Sequence, residues 1–531
     1  MASAPKPSPV FGSPAPSSSA PSSSAPSSTV DVCVIGSGIG GLSAALLLSR
    51  LHNLTTSVHE AHYLPGGCCH SYRRGRFTFE SGPTVMLGGN NPLFEVLERT
   101  GVEAPMIHYA DWNVATPNST WAFPLGRDKF QAGPLLAHGG PLAVSEFAAL
   151  RAATAPLLAA AGAIPAMAMR ADSKALLPLL LRHPRSLLRL LRLPAAGTGP
   201  FKPYLPPVTS PFLRWWLDAL AFSLSGLPAS RTPAAALAAV LGELHEEGAT
   251  LAYPEGGMGA LVDAMVEGVR GAGSSVRLGS EVEEVLVERG RAVGVRLKGG
   301  EVVRARRGVV CNAPVWNLPK LIPGDARGSV EGLDEFLGKL ENVSMTRSYH
   351  HLHLALNTTG LDLPLLPAHT TYFDTWGDPT AEQNMCAVSN PCALDPGIAP
   401  AGTAVVHAYL CANEDYAEWE GMEAGEAYER KKRERGEVLW RAVQSVIPDA
   451  RERVIREEFG SPLTHERFLR RPGGTYGAEA EDLLANGATP VEGLVLAGDG
   501  IFPGIGIPAV ALTGAAAANA FVGVREQLKK Y

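Results

Sequence analysis

Charge is scarce in this chain. Only 18% of its residues are charged, against roughly 25% in an average soluble domain. Acids outnumber bases to give a net charge of −6, so no overall basic field exists to hold nucleic acid, and no nucleic-acid partner is expected. Lysine is rare beside arginine, 11 against 35, a disparity that reads as genomic composition rather than function. The seven cysteines (33, 68, 69, 311, 386, 392 and 411) lack C-x-x-C spacing. An odd, scattered set in a long chain is not a disulfide framework, so a reducing compartment is expected.

Long hydrophobic runs are few as well. Residues 1–28 hold 11 Ser, 7 Pro and 5 Ala with no acid, and they lack the ~7–15-residue apolar core of a secretory signal. Such a segment cannot bury enough apolar surface to offset its ordering entropy. A disordered leader is expected, of a composition that fits either a plastid transit peptide or its remnant, or a plain low-complexity tail; the expected location is the chloroplast or another plastid, stromal or membrane-associated. The run Ile507–Val524 carries no charge, yet Thr513, Gly514, Asn519 and its alanines make a buried helix the better reading than a membrane span. In Leu176–Leu193, Arg185, Arg189 and Arg192 share a helical face opposite Leu187, Leu190 and Leu191. That pattern suits either a peripheral membrane contact or a core-packed helix. No segment demands a transmembrane helix.

What is plentiful is apolar and small: 46% hydrophobic residues and 57 glycines in 531 residues, a length of two or more structural units at ~100–200 residues each. At Val30 the leader gives way to VDVCVIGSGIGGLSAALLLSR. Val30–Ile35 reads as a buried parallel strand and Leu42–Leu51 as a helix. Between them Gly36, Gly38 and Gly41 complete G-x-G-x-x-G, with Ser37, Ile39 and Gly40 inside the same loop. Gly36 permits the tight turn, Gly38 lets backbone approach a pyrophosphate, and Gly41 allows helix–strand contact. The helix end adds free N–H groups and a positive dipole. A second strand, Thr56–His59, ends at Glu60, followed by Ala61. An acid about 20 residues past the loop accepts from a ribose 2′-OH, which completes a dinucleotide site.

Past Glu60 the doublet Gly66-Gly67 resembles flavoproteins of the amine oxidase and phytoene desaturase superfamily. So does the far end, where Gly493–Asp499 is a buried strand ending in Gly498-Asp499, followed by GIFPGIGIPAVALTGAAAANAF. The resemblance implies FAD as cofactor, with Asp499 on the ribityl chain, Gly506 and Ile507 at a helix end facing diphosphate and flavin, Gly66 and Gly67 close by, and the Val282 backbone against adenine. The blocks Tyr349–Leu354, Val388–Tyr409 and Arg471–Gly477 are similar to the carotenoid isomerase (prolycopene isomerase) branch of that family.

The implied fold is α/β: a Rossmann-like FAD-binding domain assembled from 29–110, 250–320 and 455–531, interleaved with an α+β substrate and membrane-associating domain from 111–249 and 321–454. A hairpin about Gly290 and a helix starting at Gly256–Gly259 are expected inside the first. The implied enzyme is an FAD-dependent oxidoreductase or isomerase acting on a carotenoid or other polyprenoid. Reduced flavin would lend electron density to the polyene and recover it, rotating a double bond without net redox change. A carotenoid or retinoid desaturase or saturase shares the same frame. A non-catalytic prenyl-protein-binding scaffold is a third reading, opposed by the intact glycine triad, Glu60 and Gly498-Asp499. The electron donor and any catalytic acid or base are not identified by sequence.

Other features take plainer readings. His351 and His353 alternate on one strand face, but no nearby Asp, Glu or Cys completes a metal site, so none is expected and they read as core or pocket histidines. Adjacent Cys68 and Cys69 rarely meet disulfide geometry, so packing or cofactor contact is expected. The mixed-charge stretch Glu423–Gln444 reads as a solvated surface helix.

Overall fold

The computed structural model describes residues 28–89, 91–161, 165–191, 201–202 and 207–530. The expected leader, except Ser28, and Arg192 lie outside these.

Val30–Ile35 belongs to β1 (Ser28–Ile35), whose last four residues are fully enclosed. The continuous apolar run is the mark of a strand covered on both faces. It pairs in parallel with β2 (Thr56–His59), which pairs in parallel with β3 (Ser275–Arg277). The hairpin expected around Gly290 is β4 (Val282–Glu288) and β5 (Arg291–Leu297), antiparallel. Its turn residues Arg289 and Gly290 have φ of +52° and +78°, as a two-residue primed turn requires. The long strand β6 (Val302–Cys311) lies parallel to β1 on one side. On the other it pairs antiparallel with β5 near its start and parallel with β7 (Leu494–Leu496) at its end. The strands β1, β2, β6 and β7 therefore deliver their carboxyl ends to one edge, where ligands of such sheets bind.

Three helices cover this sheet: α1 (Ile39–Leu46), α2 (Met258–Gly271) and α3 (Ile507–Ala520). The expected first helix starts three residues early, and from Leu47 to Leu51 it widens into π geometry, where the Ser49 hydroxyl donates to Ala45 O at 2.7 Å. The charge-free C-terminal run is α3, packed on α1; its Ala511, Ala515, Ala517 and Ala518 are enclosed.

A second, mainly antiparallel sheet runs in the order Val454–Gly460, His351–Asn357, Thr403–Leu410, Met385–Ser389, His369–Phe373, Asp111–Thr116, Ser119–Pro124. The first of these strands was expected in the cofactor unit. It is instead the edge of this sheet, paired along its length with His351–Asn357. One sheet face packs Leu352, Leu354, Val406 and Ala408 against Val438, Leu439 and Trp440. Those helix residues correct the reading of Glu423–Gln444: Glu426–Arg435 buries nothing, but Glu437–Gln444 buries five side chains.

Residues Asp128–Ala159 form a run long and apolar enough, by length and composition, to cross a membrane. It is broken at Gly133 and at Gly140, and Phe130, Leu135, Phe147, Leu150 and Leu157 pack into the core of the helical layer. In Leu176–Arg182, Leu176, Leu177, Leu180 and Leu181 are exposed, Leu181 by 63%. In the following helix, Pro184–Leu191, Leu187 is buried as expected, while Leu188 and Arg185 face solvent.

Candidate functional site

One cavity of about 2,090 Å³ opens along the carboxyl edge of the first sheet and continues over the second. Its volume is twice the upper end of the ~300–1,000 Å³ range for a drug-sized ligand. At one end lie Gly36, Gly38, Ile39 and Gly40, with Glu60, Ala61 and Val282 beside them. Gly66, Gly67, Gly498, Asp499, Gly506 and Ile507 line the same space. The two ends of the chain thus meet in one wall.

Ser37 and Gly41 are not in that wall, for reasons the geometry gives. Ser37 is fully buried, and its N–H and hydroxyl both donate to Glu60 Oε2 at 2.8 Å. His62 N–H donates to the other oxygen, Oε1, at 2.8 Å, so the carboxylate is held in place by its own loop. Gly41 is a packing residue: a β-carbon there would stand 2.1 Å from Gly36 O, which only glycine avoids.

Both α1 and α3 begin with a glycine and no side-chain cap, at Gly38 and Gly506. Each therefore presents unpaired N–H groups and the positive end of its dipole to the cavity. Across from the loop stands Asn312, at the end of β6. A β-carbon on Gly38 would lie 2.8 Å from Asn312 Nδ2. The sequence alone does not single out that side chain.

Asp499 accepts from Arg471 Nη2 at 2.7 Å. Arg471 is itself buried, and its guanidinium also donates to Thr475 O at 2.8 Å and Tyr476 O at 2.9 Å. Gly498 N–H donates to Thr513 Oγ1 on α3 at 2.9 Å, which fixes the Gly-Asp turn against the helix. Arg471 was legible only as part of an Arg-Pro-Gly-Gly block.

Away from the glycine loop the wall turns apolar, with Leu220, Leu224, Val240, Leu244, Leu251 and Met385. Between the two halves stand Tyr349, Tyr409 and Tyr476. Burial pushes all three phenols well above their ordinary range, so they remain neutral donors. His369 is pushed down to about 4 by burial and pairs Nδ1 with Tyr109 OH at 2.7 Å, so it is neutral at pH 7. Glu243 also lines this part of the cavity. Burial raises its carboxyl to about 7, and its Oε2 has no hydrogen-bond partner among the described residues. Nothing in its sequence surroundings, a Leu/Ala-rich helix, signals this.

Cys68 lines the cavity and Cys69 is buried; both are free thiols whose titration burial pushes up. His351 and His353 share a strand face, as expected. They do not stand alone: His407 and His465 join them in one buried group.

Comparison with known proteins bears on this geometry. The model of the family described as flavin containing amine oxidoreductase matches residues 39–521. Prolycopene isomerase, chloroplastic, of Daucus carota is 26% identical over 521 residues, covering 92% of this chain and 79% of its own length. The Arabidopsis thaliana protein of that name is 27% identical, covering 92% and 82%. A phytoene desaturase (neurosporene-forming) of Rhodobacter capsulatus is 27% identical over 49% of this chain and 51% of its own length. Among solved structures, an oxidoreductase from Methanosarcina mazei superposes with a TM-score of 0.61 at 17% identity, covering 91% of this chain and 98% of its own. A wild-type putrescine oxidase superposes with 0.58 at 17%, covering 95% and 99%. These two share the fold.

Proposed function

The chain belongs to the flavin containing amine oxidoreductase family and is an α/β flavoprotein whose cofactor is FAD, and on that premise we propose that it isomerises a long polyene, a carotenoid, from cis to trans with its flavin reduced. The observation that carries the reading is the cavity. It joins a glycine-lined wall to an apolar one, and its volume of about 2,090 Å³ is twice the upper end of the ~300–1,000 Å³ range for one small ligand. The prolycopene isomerases that match over 92% of the chain agree with it.

In this reading the bare N-termini of α1 and α3 take the diphosphate, with Gly36, Gly38 and Gly40 allowing backbone approach. Glu60 accepts from the ribose hydroxyls, and Ser37 holds it in position to do so. Asp499, oriented by Arg471, accepts from the ribityl chain. Val282 backs the adenine, while Gly66 and Gly67 bring backbone to the flavin side. When bound in reduced form, FAD supplies reversible electron donation, which lowers the order of a polyene double bond. The apolar wall excludes water, and the buried tyrosines stay neutral beside it.

The exposed leucines of Leu176–Arg182, beside Arg182 and Arg185, suit a peripheral contact with a membrane that stores such a substrate. The chloroplastic relatives favour a plastid location. A second reading, desaturation or saturation with net two-electron transfer, draws on one feature: Glu243 is a protonatable carboxyl in the apolar wall. Anaerobic incubation of the holoprotein with a poly-cis carotenoid separates the two. Turnover with flavin reduced stoichiometrically, no reductant being left in excess, that stays reduced throughout supports isomerisation. Turnover that consumes one flavin redox equivalent per product overturns it.

A further inference from the structure

Behind the cavity wall four imidazoles meet. His351 and His353 project from one face of their strand, and His407 stands directly opposite His353 on the next. His465 comes from the helix Pro462–Leu469. None is more than 7% exposed. His351 Nδ1 lies 2.8 Å from His407 Nε2, and His351 Nε2 lies 2.7 Å from His465 Nε2. The rings of His353 and His407 stack with centroids 4.3 Å apart.

The hydrogen-bond accounting of this group does not close. A neutral imidazole brings one N–H and one lone pair. The contacts through His351 leave Nδ1 of His353, His407 and His465 buried without a partner among the described residues. Each such atom left so is destabilising, because it has given up water without a replacement. Protonation offers no relief, because it would place like charges on rings that touch one another away from water. A cation does relieve it, by turning lone pairs into bonds.

We propose that His351, His353 and His407 bind a divalent d-block cation of the Zn²⁺, Co²⁺ or Fe²⁺ class. One ring nitrogen from each can be chosen so that all three lie within 4.8 Å of one another. A tetrahedral site with bonds of about 2.0–2.1 Å sets its nitrogens roughly 3.3 Å apart. The 2.8 Å contact therefore opens by about half an ångström and the widest separation closes, both by rotation of side chains on paired strands. His351 binds through Nδ1. Its Nε2–H then donates to His465, the outer hydrogen bond that metal-bound imidazoles keep and that fixes the ring. An all-nitrogen set excludes Mg²⁺ and Ca²⁺, which take oxygen ligands. His407 also lines a small cavity of about 160 Å³, which leaves room for water as the fourth ligand. The proposal is independent of the polyene reading, since it rests on residues outside the cavity.

The test uses tag-free, flavin-loaded full-length protein, stripped with a chelator and titrated with Co²⁺ and then Zn²⁺. Metal is counted by mass spectrometry after gel filtration. The expected result is about one equivalent retained per chain, with visible d–d bands of the Co²⁺ form that Zn²⁺ abolishes. His353→Asn and His407→Gln, with flavin absorbance and circular dichroism unchanged, should retain less than about a tenth as much. His465→Asn should weaken affinity by ~10–100-fold. Retention of less than about a tenth of an equivalent by the unmutated protein overturns the proposal, as does equal retention by folded His353→Asn. If the variants do not fold, the Co²⁺ spectrum of the unmutated protein decides alone, and absence of d–d bands overturns it.

Discussion

Arg471 Nη2 donates to Asp499 Oδ2 over 2.7 Å, and the two side chains, 7% and 18% exposed, face each other in the wall of the cavity. A buried pair of this kind is costly to break from one side. Asp499→Asn leaves Arg471 charged and unpaired in the interior, which costs about 3–5 kcal/mol. We expect a correspondingly lower unfolding midpoint and loss of flavin absorbance per chain. Adding Arg471→Met should restore part of the stability but not the flavin. A double variant as unstable as Asp499→Asn contradicts this.

Glu80 gives a pH dependence with a definite sign. Its Oε1 accepts from Tyr253 OH and from Met258 N–H, each at 2.7 Å, while burial raises its carboxyl to about 7. The unfolded chain releases this proton near the ordinary 4.5. Between pH 4.5 and 7 the folded protein therefore binds more protons than the unfolded one, and stability falls as pH rises, by about 3 kcal/mol in all. Glu80→Gln keeps the accepting oxygen and removes the titration. Denaturant midpoints for the variant should decline less across that window, and an unchanged slope contradicts the assignment.

Glu243 separates the two functional readings. If the reaction is redox-neutral, Glu243→Gln leaves turnover of a poly-cis carotenoid largely intact and its pH profile flat through pH 7. General acid–base use would show as a loss of ~10²–10⁴-fold, with the profile of the unmutated enzyme bending near 7. Initial rates from pH 6 to 8 decide between these outcomes.

Membrane contact rests on Leu180 and Leu181, exposed by 54% and 63%. Burying one such side chain in a bilayer is worth about 1.5–3 kcal/mol. Leu180→Asp with Leu181→Asp should thus reduce vesicle partitioning by more than ~100-fold, read by co-sedimentation, with flavin content unchanged. Equal sedimentation of both proteins excludes this face as the contact.

Much of the glycine-lined end of the cavity was legible because its residues act through backbone and local spacing. The glycine loop, Glu60 and the terminal Gly-Asp each lie beside a strand whose apolar run marks it, and the Gly290 hairpin follows from alternation. What escaped depends on pairing between distant segments. Arg471 needs Asp499, Asn312 needs the glycine loop, and Glu243 is unusual only because a cavity forms beside it. His407 and His465 meet His351 through sheet register and helix docking, which no local pattern encodes. The strand Val454–Gly460 was misplaced for a related reason: as an exposed edge it carries charges, so it lacks the apolar signature that identified its neighbours.

The most direct test of the central claim is the mass and geometry of the product formed from a poly-cis carotenoid by the anaerobic holoprotein, with its flavin reduced in one arm and oxidised in the other. The account predicts an all-trans product of unchanged mass in the reduced arm. A product lighter or heavier by two hydrogens in either arm contradicts it.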